Sequence, residues 1–202
     1  MKTPKNKIII QTDHKWCDTK VLEGGHVIHI ATEYHPEEHA SIEGTVVAVA
    51  EVVGNDLFRR HIANIVRPGD KIYFHYNQFL DEDNLFIHNG MEYWMLDYMS
   101  AFCVERDGEL IAIGDYVLVE PPKPEARKSG LIVFAEGFDE LPKQQGTLAL
   151  IGSLPENYPA LECQAGDTVW FQKDCEFENT IAGKKYWVMR QDNLMGYARR
   201  GD

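Results

Sequence analysis

Ala165-Gly166-Asp167-Thr168-Val169-Trp170-Phe171 has a counterpart earlier in the same chain, Pro68-Gly69-Asp70-Lys71-Ile72-Tyr73-Phe74. In both, a Gly-Asp pair precedes an alternating run that ends in two aromatics. Glycine supplies the unusual φ of a tight turn, and aromatics fit a pleated, half-buried surface, so each stretch predicts a turn feeding a β-strand.

The echo extends both ways. Upstream, Gly44-Thr45-Val46-Val47-Ala48-Val49 answers Gly146-Thr147-Leu148-Ala149-Leu150-Ile151. Downstream, Gly90-Met91-Glu92-Tyr93-Trp94-Met95 answers Gly183-Lys184-Lys185-Tyr186-Trp187-Val188. The offsets between these landmarks are 102, 97 and 93 residues, so the second copy has shorter connections between the same elements. Loops absorb length changes and strands do not. A repeat of this size is that of a small domain. The chain therefore reads as two tandem all-β domains, residues 1–105 and 106–202, with short strands at regular spacing as in a small β-barrel.

Composition narrows the partners. The net charge of −12 over 202 residues divides into −7 for residues 1–105 and −5 for the rest. Two acidic halves lack the basic footprint that a phosphate backbone requires, so nucleic acid is not an expected partner. Cys17, Cys103, Cys163 and Cys175 contain no Cys-x-x-Cys spacing and do not recur at matching places, which argues for reduced thiols. The lysines near the start precede only Ile8-Ile9-Ile10, too short for a signal segment, and Glu51 interrupts Thr45 to Val53. The expectation is a soluble, cytoplasmic protein with no membrane partner.

Along the chain, Lys7 to Gln11 reads as a strand, Asp13 to His26 as a polar loop ending in Gly24-Gly25, and Gly44 to Val53 as a buried strand. Gly54 to Arg67 and its counterpart Ser153 to Gln164 read as loops. Asn89-Gly90 between apolar runs predicts a hairpin. Asp107-Gly108 predicts a tight turn into one strand from Leu110 to Glu120, which sets the two domains side by side through a hairpin linker. The loop from Pro121 to Gly130 is stiffened by its prolines and freed at Ser129-Gly130. Leu131-Ile132-Val133-Phe134 then reads either as a strand or as an exposed apolar tip.

The order of these motifs resembles the GroES, or ten-kilodalton chaperonin, family. Ser129-Gly130-Leu131-Ile132-Val133, Gln145 to Gly152, Ala165 to Phe171 and Asp192-Asn193-Leu194 fall in the family's sequence order; the first copy keeps Gly24-Gly25, Gly44 to Val49, Pro68-Gly69-Asp70 and Asp97-Tyr98-Met99. The resemblance implies a co-chaperonin that caps a large ATP-driven, GroEL-like chaperonin in its nucleotide-bound state and assembles as a homo-oligomeric ring. It also implies docking through apolar triplets on mobile loops. Carried over by position, the triplets are Leu131-Ile132-Val133 and His26-Val27-Ile28, with Gly24, Gly25, Ser129 and Gly130 as hinges. Such loops bind weakly and reversibly because ordering them offsets apolar burial, and a ring multiplies them. The family's usual ring has seven single barrels, which two-barrel chains do not supply evenly.

Other readings compete. Tyr93-Trp94 and Tyr186-Trp187 read as packing residues rather than a binding platform. His35 and His39 flank Pro36, which spoils a helical ligand face, so no metal site is expected there. No Gly-x-Ser-x-Gly, Gly-x-Gly-x-x-Gly or P-loop is present, and neither an enzyme nor a cofactor is expected. An oligomerising scaffold of the same fold, without a chaperonin partner, is the alternative function. Alcohol-dehydrogenase-type enzymes carry a related barrel, but they require catalytic zinc ligands and a nucleotide domain.

Overall fold

The computed structural model describes residues 2–12, 19–21, 27–29, 42–51, 53–55, 60–61, 65–79, 81–122, 144–154 and 161–199. Both Gly-Asp corners close as type II turns. The Asp70 N–H donates to the Arg67 carbonyl and the Asp167 N–H to the Gln164 carbonyl, each over 3.1 Å. Gly69 and Gly166, third in their turns, have φ of +93° and +98°. That conformation is open to glycine at little cost. Each aspartate then stitches its own turn: Oδ2 accepts the N–H of Arg67 or Gln164 at 2.8 Å. The chain leaves each corner as a strand aimed by this local hydrogen bonding.

The strands are β1 (Lys7–Gln11), β2 (Thr19–Val21), β3 (Val27–His29), β4 (Glu43–Val49), β5 (Gly54–Asn55), β6 (Arg60–His61), β7 (Lys71–Phe74), β8 (Leu85–His88), β9 (Met91–Asp97), β10 (Ala101–Arg106), β11 (Glu109–Ala112), β12 (Tyr116–Glu120), β13 (Gln145–Ile151), β14 (Thr168–Phe171), β15 (Phe177–Ile181), β16 (Lys184–Arg190) and β17 (Leu194–Ala198). Among the described residues the only helices are short 3₁₀ turns, so the chain is all-β. By its contacts it divides into Met1–Gly114 with Ser153–Pro155, and Asp115–Gly152 with Glu156–Asp202.

Each unit holds one large antiparallel sheet, and the first also holds the two-stranded ribbons β2–β3 and β5–β6. The first has the order β11-β10-β7-β4-β1-β9-β8 and the second β15-β16-β12-β13-β14-β17. Read from β8, the first sheet runs β9, β1, β4, β7, β10; read from β15, the second runs β16, β12, β13, β14, β17. Six strands thus follow one connectivity, and β11 is the addition. The irregularities coincide as well: the β1–β4 register shifts between Ile9 and Ile10, and the β12–β13 register between Leu118 and Val119. Such bulges bend a strand and increase its twist.

The apolar cores follow from those registers. Ile8, Ile10, Val46, Ile72, Phe74 and Leu96 face one core; Val117, Val119, Leu148, Val169, Phe171 and Met189 hold the same places in the other. Trp94 packs edge-on against Phe79 at 4.7 Å between centroids, and Trp187 edge-on against Phe171 at 5.6 Å. The tryptophans are packing residues, as their position in the strands implied.

Four readings of the sequence change. The single strand from Leu110 to Glu120 is two strands, β11 and β12, separated by a turn in which Gly114 has φ +59°. The Asp107-Gly108 turn exists, with φ of +53° and +82°, but the hairpin it makes, β10 with β11, lies within the first sheet. Gly54 to Arg67 contains the ribbon β5–β6, and Asp13 to His26 contains β2, paired with β3. Finally, β15 was not foreseen: Glu178, Asn179 and Thr180 carry no apolar alternation, because an edge strand meets solvent along much of its length.

Candidate functional site

The segments bearing the two triplets connect neighbouring antiparallel strands: residues 12–42 run from β1 to β4, and residues 121–144 from β12 to β13. Each therefore leaves and re-enters at one end of its sheet. The roots are built alike, with Gln11 opposite Thr45 and Glu120 opposite Thr147. A half-exposed ion pair, Lys71 to Glu43 at 2.9 Å, adds to the first root. The hydrogen bond to Glu43 is the main reason why the Lys71 ammonium is held above its ordinary value.

Glycine sits at each root because the backbones approach closely there. A Cβ on Gly44 would stand 2.7 Å from Ile10 Cδ1 and 2.8 Å from the Gln11 carbonyl oxygen; on Gly146 it would stand 2.6 Å from the Glu120 carbonyl oxygen. Carbonyl oxygens in a paired strand cannot step aside as a flexible side chain can. Gly146→Ala is expected to destabilise the second unit by about 1–3 kcal/mol through forced backbone shifts. Chemical denaturation with Trp170 and Trp187 fluorescence measures this, and an unchanged midpoint would contradict the close approach.

Of the residues assigned to docking, Val27 and Ile28 lie on β3, opposite Val21 and Lys20 of β2. His26, Gly24, Gly25, Ser129, Gly130, Leu131, Ile132 and Val133 lie outside the described residues, as do His35 and His39.

The sequence reading missed one cluster. Asp70 is buried, and Arg106 at the end of β10 grips it bidentately: Nε donates to Oδ1 at 2.8 Å and Nη2 to Oδ2 at 2.6 Å. The same Nη2 donates to the Ile65 carbonyl at 2.7 Å. Burial pushes the Asp70 carboxyl up, but the Arg106 hydrogen bonds, the Arg67 amide and both positive charges outweigh it and hold the group below its ordinary value. The signal was present as a repeat, since Arg106 and Arg199 differ by the same 93 positions as Gly90 and Gly183. This cluster locks the corner from which β7 starts; it is structural, being closed on itself.

The chemistry available elsewhere is sparse. Burial, then the Glu105 charge, pushes the Cys103 thiol up to about 12, so it stays protonated at neutral pH. Cys163 and Cys175, also free, are raised chiefly by burial. Among the described residues, no group of three or more His, Cys, Asp or Glu is placed to hold a metal, and no helix is long and apolar enough to cross a membrane.

Comparison with known proteins gives these features a family. Residues 109–198 match the model of the chaperonin 10 Kd subunit family. A co-chaperonin GroES of Holospora obtusa is 34% identical over 88 residues, 42% of this chain and 91% of that protein. A co-chaperonin GroES of Pseudoalteromonas translucida is 33% identical over 86 residues, 41% of this chain and 90% of that protein. A third, from Halalkalibacterium halodurans, is 31% identical over 87 residues and covered over 92% of its length. With one-third identity along nine-tenths of these relatives, and with the Gly-Asp corner, the strands and the root glycine inside the matched region, the chain belongs to the chaperonin 10 family of GroES co-chaperonins.

Proposed function

We propose that this protein is a cytoplasmic co-chaperonin made of two GroES-like barrels in tandem, residues 1–105 and 106–202. It caps a large ATP-driven chaperonin in its nucleotide-bound state and so assists protein folding. The observation that carries the reading is the match of residues 109–198 to the chaperonin 10 Kd subunit family, together with relatives named co-chaperonin GroES that align over about nine-tenths of their own length. The tandem part is supported by the six strands that follow one connectivity in both sheets, with matching bulges.

The docking elements are the triplets Leu131-Ile132-Val133 and His26-Val27-Ile28, each on a segment tethered at both ends to paired strands. Each such segment starts and ends at neighbouring antiparallel strands of its own sheet. The free energy of burying three such side chains is offset by ordering the tether, which keeps each contact weak. Several tethers in one homo-oligomer make the capped state strong, and a change in the partner's groove releases them together. The role requires no catalysis and no cofactor.

Light scattering on the protein mixed with a GroEL-type chaperonin, with and without ATP, tests this. A shift onto the chaperonin only with nucleotide is the expected result. An assembly of unchanged mass under both conditions overturns the co-chaperonin reading and leaves an oligomerising scaffold of the same fold.

A further inference from the structure

Among the described residues, β8 and β15 end their sheets at the same place in the shared strand order. Trp94 lies opposite Leu85 and Trp187 opposite Glu178, so Leu85-Phe86-Ile87 in the first hairpin answers Glu178-Asn179-Thr180 in the second. By the same register Met91-Glu92 answers Lys184-Lys185. The second edge is guarded: Lys185 pairs with Glu178 at 2.7 Å, and Lys184 pairs with Glu120. Charged side chains on an edge strand keep other chains from adding to it. The first edge lacks that guard. No Lys or Arg occurs from residue 72 to residue 105, and Ile87 is 69% exposed and Met91 49%.

The backbone of β8 is set for another strand. In a two-residue hairpin the residues flanking the turn exchange hydrogen bonds, and bonded pairs alternate from there. His88 with Met91 and Phe86 with Tyr93 are therefore the bonded pairs, and Ile87 directs its N–H and C=O away from β9. Leu85 agrees with this alternation, since its N–H donates to the Glu82 carbonyl. The side chains are apolar on both faces of the edge. Leu85 packs against the first core, while Phe86 stacks on Tyr93 with centroids 5.6 Å apart and joins Ile9 and Ala48 on the other face. Such an edge suits a run of consecutive apolar residues better than an alternating strand. Charge narrows the occupant further. Asp81, Glu82 and Asp83 just ahead of β8 and Glu92 opposite Ile87 are all exposed. A second copy paired antiparallel with β8 would bring its own acidic turn towards Glu92, like charge against like, whereas basic flanks would meet these carboxylates favourably. We propose that β8 captures, by strand addition, an extended apolar run flanked by Lys or Arg in an unfolded polypeptide. This activity goes beyond capping and requires no chaperonin.

The test is fluorescence anisotropy of a labelled peptide, Lys-Lys-Val-Ile-Val-Phe-Lys-Lys, titrated with the full chain alone. Two control peptides separate the contributions. Lys-Lys-Val-Pro-Val-Pro-Lys-Lys keeps the charge but lacks two backbone donors, and Glu-Glu-Val-Ile-Val-Phe-Glu-Glu reverses the charge. Each is expected to bind about tenfold more weakly or worse. Ile87→Pro removes an N–H that β9 does not use, so the hairpin persists and peptide affinity falls about tenfold or more. Ile87→Lys guards this edge as Lys185 guards the other and is expected to act alike, with the thermal midpoint showing that the first unit still folds. Phe177→Lys, at an exposed residue of β15, retains the parent affinity. Absence of binding by the parent, equal binding of the proline peptide, parent affinity in the folded Ile87→Lys chain, or an equal loss in Phe177→Lys each overturns the proposal. Peptide binding by a chain that ignores the chaperonin leaves this site standing and removes the co-chaperonin reading. Nucleotide-dependent capping by a chain that does not bind the peptide does the reverse.

Discussion

Ile132→Asp is expected to abolish nucleotide-dependent capping while leaving both units folded. In sequence the residue lies between β12 and β13. Removing a buried isoleucine costs about 2–3 kcal/mol. Carrying an ionised carboxylate into an apolar groove adds a penalty of its own, which protonation only partly relieves. About 3 kcal/mol or more per loop is roughly a hundredfold weaker contact. Because loops act together in an oligomer, the loss compounds, and the capped state falls below detection. Titration of the chaperonin in ATP measures it, with Ile132→Val, which keeps most of the apolar area, retaining binding. Capping by the aspartate variant at the parent affinity would remove that triplet from the docking element. The parallel change Val27→Asp is expected to have the smaller effect, since His26 and His29 bracket a two-residue apolar core in the first segment.

Asp70→Ala is expected to destabilise the first unit by on the order of 3 kcal/mol, because it strands the partly buried Arg106 guanidinium and removes the acceptor that closes the Arg67 turn. Asp70→Asn keeps a turn acceptor but loses the charge, so it should fall between parent and alanine variant. The pH dependence has a definite sign. The folded carboxyl lies below its reference value of 3.8, so its contribution is present above that value and is lost as pH falls through the lower folded value. Thermal midpoints of parent and Asp70→Asn measured from pH 6 to pH 2 should therefore converge on the acid side. Parallel curves across that range would show that the ion pair with Arg106 adds nothing to stability.

Much of this molecule was legible in local chemistry. A Gly-Asp pair closes its turn with its own backbone and carboxylate, and Asn89-Gly90 makes a hairpin with φ of +51° and +75°, so neither depends on distant residues. Repetition of these self-contained units at nearly constant spacing revealed the strands between them and the aromatic core positions. The fault in the Leu110 to Glu120 reading has the same origin. Ile111, Ala112 and Ile113 continue an apolar run, and whether such a run bends at Gly114 depends on what each half pairs with. Here β11 pairs with β10 while β12 pairs with β13 and β16.

The amino-acid sequence by itself determined the Gly-Asp and Asn-Gly turns, most of the strand-forming runs, the duplicated spacing and the family. The tertiary structure alone decided which side chains meet across long separations and which edges are covered. Arg106 reaches Asp70 across 36 residues, and β11 covers β10 while, among the described residues, β17 is the last strand of its sheet. Turn geometry is set by the φ and ψ of a few neighbouring residues, so it is written where it acts. Burial of a charge and pairing of an edge depend on chain segments brought together by the whole fold, and no local window contains them.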